Sequence, residues 1–92
     1  MARFSLNIYG KNDEIIKTFE TDHVRFGMLM QALEISEKNL DNAEKLKAAM
    51  AIVKALFNGI TDEDLSNADT GDVLALFIQV TRMSDLLAVP KN

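Results

Sequence analysis

The chain has no cysteine, one proline and one histidine among its 92 residues. Without cysteine there is no disulfide staple, no thiolate nucleophile and no thiolate metal ligand, which suits a reducing cytosol. The single histidine, His23, falls at a strand–helix junction. No nucleophile–base set accompanies it, so it reads as an ordinary surface or capping residue rather than a general base. The glycines, Gly10, Gly27, Gly59 and Gly71, form no phosphate-binding loop. The basic residues are scattered and the net charge is −4. The concentrated positive footprint that neutralises nucleic-acid phosphates is therefore missing. No apolar run approaches the roughly 20 residues that span a bilayer. The opening Met1-Ala2-Arg3-Phe4-Ser5-Leu6 lacks a hydrophobic signal region. The acids Asp62, Glu63, Asp64, Asp69 and Asp72 fail as an EF-hand: counting from Asp62, Asn67 stands where the loop needs glycine and Val73 where it needs glutamate. They suit two neighbouring helix N-termini instead. These absences predict a cytoplasmic protein that is not an enzyme, takes no metal or other cofactor, and binds neither nucleic acid nor membrane.

What is present is apolar helical surface in excess. Residues 48–57 hold one polar side chain, Lys54, and residues 73–80 hold one, Gln79. With 48% hydrophobic and 26% charged residues, the composition is that of one globular domain over residues 1–92. A domain this small has few neighbours with which to cover such helices.

Residues 3–9 alternate, with Phe4, Leu6 and Ile8 on one face and Ser5 and Asn7 on the other, which predicts a half-buried strand. Gly10-Lys11-Asn12-Asp13 is turn chemistry and residues 14–20 make the return strand. A hairpin over 3–20 with a four-residue loop sets Ile8 beside Ile15 and Phe4 beside Phe19, with Lys17 facing Leu6 and its stem snorkelling outward. An isolated hairpin is marginal, so its apolar face must lie on helices. Those are predicted at about 23–38, 42–58, 61–66 and 70–87, followed by a short tail from Pro90. Asp22, Asp41, Thr61 and either Asp69 or Thr70 are the expected N-caps, and Gly59 the left-handed stop. Gly27 is expected to mark close packing of the hairpin on the first helix. The fold class is α+β, mostly helical: a two-stranded antiparallel hairpin packed on about three main helices plus one short helical turn.

Helical spacing sorts the apolar residues into stripes. Phe26, Leu29, Met30 and Leu33 form the main stripe of the first helix, and Met28, Ala32 and Ile35 a second one. Leu46, Met50, Val53 and Phe57 lead the second helix, widened by Ala49, Ile52 and Leu56, while Ala48, Ala51 and Ala55 keep the remaining side small. In the last helix Val73, Leu76, Phe77, Val80 and Leu87 form the stripe, with Leu74 and Ile78 off it. The main stripes, with Met30 and Met50, are assigned to the core. The second faces, Met28, Ala32, Ile35, Ile52, Leu56, Leu74 and Ile78, are assigned to partner binding or self-association.

The layout resembles the small tail assembly chaperones of long-tailed phages and prophages of Gram-positive bacteria. The resemblance runs along nearly the whole chain. It is carried by the hairpin ending Lys17-Thr18-Phe19, the helix with Phe26 and Ala32-Leu33-Glu34, the helix ending Ala55-Leu56-Phe57-Asn58-Gly59, and above all Ile60-Thr61-Asp62-Glu63-Asp64-Leu65 before a final amphipathic helix. It implies a non-enzymatic chaperone in the host cytoplasm during phage assembly. Such a chaperone coats and solubilises the tape measure protein, a long hydrophobic helical rod, and aids assembly of the tail tube protein around it. The family often includes a longer form made by ribosomal frameshifting, and Pro90-Lys91-Asn92 is compatible with a slippery heptamer. A tape measure protein, tail tube protein, a longer form of the chain itself and further copies in a homo-oligomer are thus the implied partners. The alternative expectation is a small cytoplasmic adaptor or regulatory domain with one dedicated partner.

Overall fold

The computed structural model describes residues 3–83. Two strands, β1 (Phe4–Tyr9) and β2 (Ile15–Thr21), precede four helices: α1 (Phe26–Glu37), α2 (Asn42–Leu56), α3 (Asp62–Ser66) and α4 (Thr70–Arg82). The architecture is α+β and mostly helical, with one antiparallel hairpin and three longer helices. The expected extension of the last helix to residue 87, Leu87 itself and the tail lie outside the described residues.

The alternation in β1 holds: Phe4, Leu6 and Ile8 are buried. The pairing differs from the expected one by two residues, with Leu6 opposite Phe19, Ile8 opposite Lys17 and Tyr9 opposite Ile15. Two local features cause this. Asp13 takes a left-handed conformation, φ 62°, at the end of a turn in which Asp13 N–H donates to the Gly10 carbonyl at 3.1 Å and Gly10 N–H to that of Glu14 at 2.7 Å. Ile16 is then an extra residue between the partners of Ile8 and Tyr9, a bulge that leaves Ile15 and Ile16 exposed. The other edge of β1 is also met: Tyr9 N–H donates to the Asn67 carbonyl at 3.0 Å and Ile8 forms a bridge with Ala68. The link between α3 and α4 thus lies along β1.

Three of the expected caps form. Asp41 and Glu44 make a reciprocal capping box on α2, as do Thr61 and Asp64 on α3, and Asp69 accepts the Asp72 N–H on α4. Asp22 does not cap α1, because its carboxylate accepts the Arg3 N–H at 2.9 Å and ties the open end of the hairpin together. The helix begins after Arg25, with no side-chain cap. Gly59 has φ 89°, as the stop after α2 requires. Gly27 is not a close-packing site, since a Cβ there would meet nothing within 4 Å.

The core joins all layers: Phe4, Leu6 and Ile8 from β1, Met28 and Ala32 from α1, Ile52, Val53, Leu56 and Phe57 from α2 and its end, and Leu76 and Val80 from α4. Ile60 and Leu65 close the lower edge, and Phe19 stacks on Phe57 with ring centroids 6.2 Å apart. This overturns four of the seven partner assignments. Met28, Ala32, Ile52 and Leu56 are buried, and Ile35 is half-buried against the core. The expected main stripe of α1 is inverted, with Phe26 and Met30 exposed, and Leu46 and Met50 of α2 are exposed too. The reason on α1 is steric. Both its stripes are apolar, but only the one carrying Ala32, fully buried, lets the helix backbone come close to its neighbours.

Candidate functional site

Leu74 and Ile78 are exposed on α4, and Leu74 lines a cavity that α4 shares with α2. Leu46, Ala49 and Met50 of α2 line a shallow, mostly apolar cavity of about 240 Å³ with Val73 and Leu74 of α4, floored by Leu65 and Ala68. A second cavity of about 160 Å³ lies further along the same two helices, between Leu40 and Lys45 at the start of α2, Phe77 and Thr81 of α4, and Ile35 and Lys38 at the end of α1. Because Met50 faces the start of α4 and Lys45 its end, the helices run antiparallel and the cavities form one seam. Leu46, Met50 and Leu74 line it while exposed by between 36% and 55%, and Ile78, 48% exposed, follows Leu74 one turn along α4.

The seam exists because helical periodicity cannot bury an apolar arc wider than the neighbouring elements cover. In α4 the covered arc is Leu76 and Val80, with Val73 and Phe77 at its edge; Leu74 and Ile78 fall beyond it. In α2 the covered arc is Ala49, Ile52, Val53 and Leu56, and Leu46 and Met50 fall beyond it on the side of α4. Sequence reasoning placed Leu74 and Ile78 on a second face but took Leu46 and Met50 as core. The signal for Leu46 was its two neighbours, Lys45 and Lys47, which mark a stretch open to solvent.

The charges at the seam are of one sign. Lys38 and Lys45 line its far end and no carboxylate lines either cavity. The ion pairs among the described residues lie elsewhere, Lys17 with Asp64 at 3.2 Å and Lys54 with Asp62 at 2.6 Å. Lys17, opposite Ile8, carries its ammonium out to Asp64, so the hairpin is latched to the start of α3. The Asp64 carboxyl is held below the ordinary carboxylate range, first by the Thr61 N–H that it accepts at 3.1 Å and then by Lys17, against the opposing effect of burial.

The His23 backbone N–H donates to the Thr21 hydroxyl at 3.3 Å, and its ring has no hydrogen-bond partner among the described residues. Among the described residues no group of three or more acids or histidines is placed to hold a metal ion, and no helix is long and apolar enough to cross a membrane. Of the acids at residues 62–72, Asp64 completes the capping box of α3, Asp69 caps α4, and Asp62 pairs with Lys54. No family model, curated protein or solved structure matches this chain.

Proposed function

We propose that this chain is a non-enzymatic assembly chaperone whose client is a tape measure protein, held by its apolar helical segments in the α2–α4 seam. The observation that supports this reading is the exposed set Leu46, Met50 and Leu74 around a shallow apolar cavity between α2 and α4, with Ile78 exposed one turn further along α4. An amphipathic helix binds such a groove by laying its i, i+3, i+4 and i+7 side chains into it. Met50 is unbranched and adapts to differing side chains, as a surface that accepts many similar segments requires. Covering the apolar stripe of a long helical rod keeps it from aggregating until tail tube protein replaces the chaperone. The same seam would serve a longer, frameshifted form of the chain.

The test is co-expression with the tape measure protein of the same phage. Wild-type chain should keep it soluble. L74E/I78E should lose that effect while keeping its helical circular dichroism, because both side chains are already open to solvent. If the double variant solubilises the client as well as wild type does, the seam is not the binding surface. If the chain binds one other protein tightly and no tape measure segment, it is a dedicated adaptor instead.

A further inference from the structure

The two ends of the seam differ in charge. At the start of α4 the first cavity is closed by the uncharged hydroxyls of Ser66 and Thr70, and Asp69 and Asp72 stand at that end outside its lining. At the other end Lys38, the C-cap of α1, and Lys45 of α2 line the second cavity, and the exposed Arg82 ends α4 next to the lining residue Thr81. Three helices thus bring a cation each to one place, and none of the three makes an ion pair among the described residues. The acids nearest in sequence do not answer them. Asp41 and Glu44 close the capping box of α2, and Glu34 and Glu37 of α1 line neither cavity. Both walls repeat one order away from the start of α4: Met50, Leu46 and then Lys45 on α2, Leu74, Ile78 and then Arg82 on α4. Leu74 and Arg82 are roughly two turns apart, about 12 Å along the helix axis.

We infer that the client of this seam is an amphipathic helix with an acidic side chain about two turns to the carboxyl side of its apolar pair, docked in one direction, parallel to α4. The inference rests on the seam being the docking surface proposed above. Charge complementarity selects this occupant. A helix that lays apolar side chains at i and i+4 over Leu46, Met50 and Leu74 brings its i+7 and i+8 positions, on the same face, level with Lys45 and Arg82. An aspartate or glutamate there meets cations that have no acid of their own, whereas a lysine there is repelled. A helix apolar along its whole length strips water from those cations and returns nothing. Direction follows from the dipoles. Because α2 and α4 run antiparallel, their macrodipoles oppose each other for a helix lying between them. The fixed charges then decide: the cations attract the carbonyl end of the client, and Asp69 and Asp72 lie towards the end that receives its N–H groups.

Synthetic helices of about 20 residues, long enough to form in isolation, test this. Three peptides share one leucine stripe. The first carries glutamates at i+7 and i+8 after the stripe, the second carries them at the mirror positions before it, and the third carries lysines after it. Fluorescence anisotropy at low salt should rank the first tightest and the other two at least about fivefold weaker, the scale of exposed ion pairs lost. K38E/K45E/R82E, changed only at exposed positions, should keep its circular dichroism and bind the lysine peptide tightest. A nitroxide at the carboxyl end of the first peptide should broaden the amide signals of Lys45 and Thr81, and one at the amino end those of Ser66 and Thr70. A first peptide no tighter than the others, an unchanged order on the charge-reversed variant, or the same broadening from either end would overturn the inference and leave an apolar seam without preference. Binding of none of the peptides would sink the seam itself.

Discussion

Two isoleucines one helix apart should respond very differently to the same truncation. Ile52 is 0% exposed and packed among the core residues of α2, whereas Ile78 is 48% exposed on the rim of the seam. Ile52→Ala removes the transfer energy of the side chain and leaves a cavity that the surrounding core closes only in part, costing about 2–5 kcal/mol. A chain of this length holds in total roughly 5–14 kcal/mol. The expected fall in Tm is therefore about 8–40 °C, at 4–8 °C for each kcal/mol. Ile78→Ala leaves no enclosed cavity. Half a side chain's transfer energy is about 1 kcal/mol, and the better helix propensity of alanine returns a few tenths. The fall should be under about 6 °C. Thermal unfolding followed by far-ultraviolet circular dichroism decides the matter, at low protein concentration so that association does not add stability by mass action. Equal falls for the two variants would refute the assignment of Ile52 to the core and Ile78 to the surface.

The latch at Asp64 makes stability depend on acid. Its carboxyl is held below the ordinary range by the Thr61 N–H and by Lys17, so its contribution is full above the unfolded value and is lost as pH falls through the folded one. Urea midpoints for wild type should therefore drop on the acid side of the ordinary carboxylate range, and Asp64→Asn should be less stable at neutral pH with a shallower acid limb; identical pH profiles would contradict this. Gly59→Ala should cost about 1 kcal/mol because φ is 89° there. Gly27→Ala, in open space near the start of α1, should be neutral or raise stability by roughly 0.5 kcal/mol in the same denaturation assay.

How far the sequence could be read depended on whether one pattern competed with another. The alternation of Phe4, Leu6 and Ile8 had no rival, and neither did the caps at Asp41 and Thr61, while at α4 the choice lay only between the neighbours Asp69 and Thr70, so the hairpin face and three helix starts were legible. The register was not, because it turns on the left-handed Asp13 and the extra Ile16, and non-glycine residues give little warning of either. On α1 two apolar stripes of similar strength compete, and only packing in three dimensions chooses Met28 and Ala32 over Phe26 and Met30. The same limit applied to the site. Leu74 and Ile78 stood apart from the α4 stripe on periodicity, but their companions Leu46 and Met50 lie on α2, and no periodicity within one helix shows which neighbour it faces.

The most direct test of the central claim is to map amide shifts of the isotopically labelled chain as a helical tape measure peptide is added. The shifts should cluster at Leu46, Met50, Val73, Leu74 and Ile78 and fade along the buried faces of the same helices. Shifts gathered at the hairpin tip around Ile15 and Ile16, or none at saturating peptide, would contradict the account.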